Sequence, residues 1–474
     1  VRSPLHVRAA IGFAIAFAIG AGPALALPVP VPMSFGAMKA PKISATDTRS
    51  PIKHVIVIVM ENRSFDNVFH GYPGADSANF GYAHDGSMVQ LAPSPFEGNC
   101  DPDHSHEAWV TNYDGGKMDG FDLTPASCIG SGVINPLDPG ESLAHYPYGY
   151  LPYAEVKPYW DIAKQFGMAQ RMFASQTGPS YPGHMFIVAG TSGNQTDDPS
   201  SALVWGCDAP AGTTVPYLDG NGNIAGTEFP CVYNTPTMGN LLDRYSIPWA
   251  YYSNNLSYVL TGQEYSISTQ PYDAFYDVRG GPDWQNDVVP YEGVAREFND
   301  ILTGRLPTIS WFNPPVIASD HAQDTTSYGP DYVAQIVDAL MLTPYWNDTA
   351  VFVTWDDPGG WYDHVVPPHV DNNGLGFRVP LLVVSKYAKR GYISNKQHEY
   401  ASLLKFIEWN WRLPSLGTRD ALPVTDRLLD MFDFTGSSSS VPPRPIAGLH
   451  PGATASFFLG LPLDTKPLDY TPEE

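Results

Sequence analysis

Two stretches of this chain run from an apolar, strand-like segment straight into hard oxygen donors. In HVIVIVMENRSFDNVFHG, His54 to Gly71, the apolar run ends in Glu61-Asn62. In the second, TAVFVTW is followed by Asp356-Asp357, then Pro-Gly-Gly and Tyr362-Asp363-His364. Adjacent carboxylates repel, so two ionised side by side are costly without a cation. Glu, Asn and Asp supply the oxygen ligands that suit a hard divalent ion. One acidic strand end is as well explained by a helix cap or a solvated turn. Two in one sheet argue for a shared metal site of Glu61, Asn62, Asp356 and Asp357, because open α/β sheets bind ligands at the carboxyl ends of their strands.

A third piece is GPSYPGHMFIVAG, Gly178 to Gly190, in which turn residues lead Ser180 into a helix-like run with His184 four positions on. A helix N-terminus favours anions and lowers the cost of an alkoxide. Ser180 is therefore a candidate nucleophile activated by metal rather than by a His–Asp pair. The competing reading is a Ser that merely caps a helix. Three histidine sites complete the set: His104 and His106 in DPDHSH, Asp320-His321 in SDHAQD, and His364. Each alone is more often structural. Together they are what phosphoryl chemistry uses, with donors for non-bridging oxygens and an acid for the leaving group.

The elements that must position these groups alternate along the chain. Lys53 to Met60 reads as a fully buried strand, being short, β-branched and uninterrupted. Residues 70 to 150 are dense in Gly, Asp, Pro and Tyr and read as a long loop region, and 155 to 166 read as helix. TPTMGNLLDRY reads as a helix with Thr235 as N-cap and Pro236 at the first helical position. SIPWAYYS, TAVFVTW and RVPLLVVS read as strands. In GPDYVAQIVDALMLTP, Val333, Ile336, Val337 and Leu340 fall at helical spacing, and YASLLKFIEWNW is a further helix. DGNGN, within residues 195 to 235, lacks the Gly and the bidentate Glu of a calcium loop and reads as a hairpin turn. Alternating strands and helices predict an α/β fold with a mostly parallel sheet, helices on both faces and long loop insertions.

Bulk properties bound the function. The 474 residues are 43% hydrophobic, ample for a sizeable core, and carry a formal net charge of −23. Nucleic acid would be repelled, and an anionic substrate needs a local cation to overcome this field. Residues 1–26 have a basic start, a short apolar core and a small-x-small end, the pattern of a secretory signal; 27–50 read as a linker. Residues 51–435 form the expected catalytic domain, and 436–474 a tail packing on it. No other apolar run reaches the ~20 residues a membrane span needs, so no stable membrane insertion is expected. Four cysteines fit an exported protein, and the expected disulfides are Cys100–Cys128 and Cys207–Cys231, out of three possible pairings. The resulting localisation is secreted or periplasmic.

The motifs resemble a known family. VIVIVMENRSFDNVFHG, GGKMDGF (Gly115 to Phe121), GPSYPGH, TWDDPGGWYDHVVPP (Thr354 to Pro368) and GFRVPLLVVSKYA are similar, in the same order, to the bacterial phosphoesterase family. That family holds phosphatidylcholine-type phospholipases C and metal-dependent acid phosphatases. The resemblance runs from about His54 to Phe434 and implies an alkaline-phosphatase-like core. By motif it implies a divalent ion held by Glu61, Asn62, Ser180, Asp356 and Asp357. It places His104, Asp320, His321 and His364 around the phosphoryl group. It implies attack by Ser180, a phosphoserine intermediate and hydrolysis by water. The expected partner is a small phosphate ester or a phospholipid head group. The chain departs from the pattern at Gly183-His184, where relatives have Asn-His or Asn-Arg, and at Asp357, where many have Glu. It departs again at HEYAS (His398 to Ser402), where phospholipase relatives read Asp-His-Thr-Ser. Two alternatives remain open on sequence grounds: a sulfate-ester hydrolase, and a non-catalytic exported binding protein on the same fold.

Overall fold

A computed structural model of the chain describes residues 42–96, 98, 100–124, 126–128, 143–201, 204–253, 270–290, 296–322, 328–435 and 442–450. The expected signal segment 1–26 and most of the linker 27–50 lie outside the described residues, as do parts of the tail.

The core is an eight-stranded sheet. Its strands are β1 (His54–Met60), β2 (Gly167–Ala169), β3 (Trp249–Ser253), β4 (Val288–Pro290), β5 (Ile309–Phe312), β6 (Thr349–Trp355), β7 (Leu381–Ser385) and β8 (Tyr392–Ser394), in the order β4-β3-β5-β1-β6-β7-β2-β8. β1 pairs in parallel with both β5 and β6. β7 alone runs antiparallel to its two neighbours. The strands are short apolar runs because both faces of the sheet are covered. Every residue of β6 is buried, as are all but the first of β1.

Helices α1 (Phe65–Phe69), α2 (His106–Tyr113), α3 (Tyr153–Gln165), α4 (Ser180–Ala189), α5 (Gly329–Met341) and α6 (Tyr400–Trp411) supply that cover and the loop structure above it. Side chains of a strand alternate between faces, so Phe352 and Trp355 of β6 point opposite ways. Phe352 packs on Phe406 of α6 and Trp355 on Tyr159 of α3, with ring centroids 5.2 and 5.1 Å apart. Helices therefore lie on both faces, as expected. On α5 the positions Val333, Ile336, Val337 and Leu340 are buried, so the 3.6-residue period was the correct guide. The cap before the helix at Met238–Arg244 is Thr237, not Thr235: its side chain and that of Asn240 bond reciprocally to each other's backbone N–H.

The hairpin around DGNGN forms as expected between Val215–Leu218 and Ile224–Glu228. Residues 70–150 hold several two- and three-residue strands and α2 rather than bare loop. Of the tail, residues 442–450 pack along α5, where the backbone N–H groups of Ile446 and His450 donate to Asp338 and Asp331. Both expected disulfides are present, Cys100–Cys128 and Cys207–Cys231. Each closes a loop of moderate length, which restrains the unfolded chain. The Cys207→Ala/Cys231→Ala variant should lose about 2–4 kcal/mol of stability; an unchanged urea midpoint would contradict this.

Candidate active site

β1 and β6 are parallel neighbours with Met60 level with Trp355. The next residues, Glu61 and Asp356, therefore leave the sheet side by side. Glu61, Asn62, Asp356 and Asp357 are all buried, each no more than 3% exposed. Asn62 takes a positive φ of 53°, a region that Asn tolerates better than most residues. That bend lets its backbone N–H donate to Asp356 Oδ1 at 3.0 Å, and the same oxygen accepts from Asp357 N at 2.8 Å.

Helix α4 completes the cluster. Ser180 is its first residue, and Ser180 Oγ lies 3.2 Å from Asp357 Oδ2 and 3.4 Å from Glu61 Oε2. The hydroxyl makes no capping bond, so the cap reading of Ser180 fails. One turn on, at i+4 on the same helix face, His184 Nε2 lies 3.0 Å from Glu61 Oε1 and 3.5 Å from Asp356 Oδ2. The close approach explains Gly183. A Cβ there would sit 2.4 Å from the Asp356 carbonyl oxygen.

Two of these carboxylates resist ionisation. Burial, then Asp357 and Glu61, push Asp356 well above the ordinary carboxylate range, and burial raises Asp357 too. Burial lowers His184, so that imidazole offers little positive charge. Asp356 Oδ2 and Asn62 Oδ1 are buried without a hydrogen-bond partner among the described residues. Converging oxygens, two of them unsatisfied, are a donor set that a divalent cation fits.

Beside this cluster lies a cleft of about 440 Å³, lined by Asp101, His104, Ser127, Pro179, Asp197 and Asp198 among others. His104 Nε2 is 2.9 Å from Asn62 Nδ2, and its Nδ1 is 2.8 Å from the Pro102 carbonyl. Burial opposes its charge, but Asp101 and Asp357 outweigh that and raise His104 to about 10. Burial lowers His321, which feels the charges of Asp101, His104 and Asp357. Burial lifts Asp198, whose Oδ1 accepts from the Tyr181 backbone N–H, to about 7.

Two expected members are not brought here. Asp320 has a positive φ of 76°, and its carboxylate turns into the core to accept from Tyr159 Oη at 2.7 Å and Trp355 Nε1 at 3.1 Å. His364 is captured elsewhere. Its Nδ1 lies 2.6 Å from Asp66 and its Nε2 3.1 Å from Asp76, in a network where buried Arg378 binds Asp66 and Asp363. Conversely, His184, Asp101, Asp197 and Asp198 belong to the site and its cleft. The i, i+4 spacing from Ser180 was a signal for His184. The adjacent pair Asp197-Asp198 was a signal of the same kind as Asp356-Asp357.

A model of the Phosphoesterase family matches residues 52–414. The chain belongs to that family. It is 23% identical over 445 residues to the hemolytic phospholipase C of Pseudomonas aeruginosa, a match covering 83% of this chain and 58% of that one. It is 25% identical over 420 residues to the non-specific phospholipase C6 of Arabidopsis thaliana, covering 80% and 72%. Among solved structures, a protein in the alkaline phosphatase superfamily from Vibrio parahaemolyticus matches 81% of this chain and 71% of its own. That match has 11% identity and a TM-score of 0.34.

A carboxylate whose pKa is higher folded than unfolded contributes stability at low pH that is lost as pH rises through its folded value. Asp198, Asp320 and Glu297, each raised to about 7 by burial, and Asp356 all act in this direction. In chelator, the melting temperature should therefore fall from about pH 5 to pH 8. Saturating divalent ion should restore more of it at pH 8 than at pH 5, since protons compete for the same oxygens. Thermal scans across that range check both statements.

Proposed function

We propose that this phosphoesterase is a metal-dependent phosphoric-ester hydrolase with Ser180 as nucleophile. The observation that carries the reading is Ser180 Oγ at the first position of α4, facing Asp357 and Glu61 at 3.2 and 3.4 Å. Glu61, Asn62, Asp356, Asp357 and Ser180 would hold the ion. When bound, it would lower the cost of the serine alkoxide and offset charge on the phosphoryl oxygens.

The chain's own groups divide the rest of the work. In the resting site Ser180 Oγ donates to Asp357 Oδ2. The proton it must shed before attack thus already points at a carboxylate. The N-terminus of α4 adds partial positive charge behind the nucleophile. Attack forms an Oγ–P bond and breaks the bond to the leaving alcohol, giving phosphoserine. His104, whose charge its acidic neighbours favour, would counter charge on the phosphoryl oxygens, and would donate to one only once its Nε2 leaves the Asn62 amide nitrogen. Water then displaces Oγ and releases phosphate or a phosphomonoester.

The names of the matched relatives support a phospholipase C-type diester substrate, and the cleft has room for a group beyond the phosphoryl. The net charge of −23 keeps anionic surfaces at a distance, so head-group capture rather than membrane attraction fits the chain. Export fits the two disulfides. Side-by-side turnover of p-nitrophenyl phosphate, a choline phosphodiester and a sulfate ester, with and without chelator, tests the class. A sulfate ester turned over fastest would overturn it.

Ser180→Ala should lose ~10³-fold or more in kcat, because nucleophile and ligand vanish together. Acid-quenched mass spectrometry should trap phosphate on the Gly178–Gly190 peptide of the wild type and not of the variant. A near-wild-type rate for the variant would reject the nucleophile. Asp356→Asn should weaken metal binding and remove most activity with the fold intact; full metal occupancy in that variant would reject the ligand set.

A further inference from the structure

A second cluster of ligand-type side chains sits at the far edge of the sheet. Ser394 ends the edge strand β8, His398 lies just before α6, and Asp426 and Asp430 come from the loop after α6. Three strand spacings separate β8 from β6, about 14 Å. This is therefore a different place from the cluster around Ser180.

The hydrogen bonds limit how the cluster can be satisfied. Asp426 Oδ1 accepts from Leu428 N at 2.9 Å and lies 2.6 Å from His398 Nδ1. With the ring proton on Nδ1 toward Asp426, the neutral ring of His398 carries a lone pair on Nε2. Ser394 Oγ accepts from Lys396 N at 3.2 Å and donates to Asp430 Oδ2 at 2.5 Å, and it also stands 3.0 Å from His398 Nε2. The one hydroxyl proton cannot serve both. Asp430 Oδ1 has no hydrogen-bond partner among the described residues, although its side chain is only 8% exposed, and it lies 3.9 Å from His398 Nε2. Nε2 and Oδ1 thus face each other with no donor between them.

Two occupants would relieve this, a proton or a metal ion. A proton on Nε2 reaches Ser394 Oγ but still leaves Oδ1 unsatisfied. A metal ion satisfies both, because ligands about 2.1 Å from a common ion stand roughly 3–4 Å apart, as Nε2 does from Oγ and Oδ1. A ligating histidine also normally gives its other N–H to a carboxylate, which is the part Asp426 plays. A Ser–His–Asp nucleophile does not fit, since Ser394 and His398 are wholly buried and Ser394 is committed to Asp430.

We propose that His398, Asp430 and Ser394 form a second divalent-cation site, oriented by Asp426 and distinct from the catalytic cluster. An imidazole, a carboxylate and a hydroxyl suit a transition ion such as Zn²⁺ better than Mg²⁺ or Ca²⁺. The side chain of Asp426 is 23% exposed, which gives the ion and a completing water a route in.

The test strips the full chain with chelator, equilibrates it with Zn²⁺ and measures stoichiometry by mass spectrometry of the metal and affinity by competition. The wild type should hold one more ion than either His398→Gln or Asp430→Asn, and turnover by these variants should stay within about twofold when the catalytic site is loaded. Asp426→Asn should weaken that ion by ~10–100-fold. Asp356→Asn should keep it, which separates this site from the proposed catalytic one. Equal ion counts and affinities in His398→Gln and the wild type would overturn the proposal. Anomalous scattering from zinc-equilibrated wild-type crystals gives a check that needs no variant. A peak between His398 Nε2 and Asp430 is expected, and its absence would equally overturn the site.

Discussion

Mutual repulsion among Glu61, Asp356 and Asp357 is the constraint around which the molecule is arranged. Two parallel strands in register deliver the carboxylates to one point, and the apolar strand residues behind them are fully buried. Burial makes each charge more expensive, and proximity makes the set more expensive still. Several features follow from tolerating that cost. Asn62 bends into the left-handed region so that backbone donors reach Asp356 Oδ1. Gly183 lets α4 touch the Asp356 backbone, which places Ser180 and His184 over the acids.

The same chain solves a similar problem differently a short way off. Asp66 and Asp363 are equally buried, but Arg378 binds both with its guanidinium at 3.1 and 2.8 Å and lies over the Phe65 ring. That network carries its own counter-charge, one guanidinium bridging two carboxylates. The imidazole in contact with Glu61 and Asp356 is His184, which burial holds towards neutrality, and the other charge beside Asp357 is His104. A buried acid cluster with a built-in cation is architecture. The acids around Ser180, next to an open cleft and a hydroxyl, are where we propose that a divalent ion binds.

The long segment between β1 and α3 becomes intelligible in this frame. Cys100 pairs with Cys128 both as a disulfide and as a strand register. Asp101, His104 and Ser127, on either side of that brace, line the cleft. A loop carrying charged groups to this cleft must be held, and here a covalent bond and a two-stranded ladder hold it.

The sequence by itself determined the elements with strong local signals. β1 was legible as an uninterrupted β-branched run, β6 as a short apolar strand, α5 as a 3.6-residue stripe, and Glu61, Asn62, Asp356 and Asp357 as polar ends on apolar strands. Ser180 was legible from the turn residues before a helix. These are properties of neighbours along the chain, so a linear reading reaches them. What only the tertiary structure decided is where side chains point once distant segments meet. Asp320 and His321 are adjacent, yet the positive φ of Asp320 sends its carboxylate to Tyr159 and Trp355 and away from the cleft. His364 follows the metal-type motif directly, but Asp66 and Asp76 claim both of its ring nitrogens. His184 and the Asp197-Asp198 pair carry local signals, an i, i+4 spacing from Ser180 and a doubled carboxylate, yet only the packing of α4 and the loops brings them to the site and its cleft. Local periodicity fixes which residues lie on an element, whereas the competition of separate carboxylates for one imidazole or one guanidinium is settled only when the sheet brings them together.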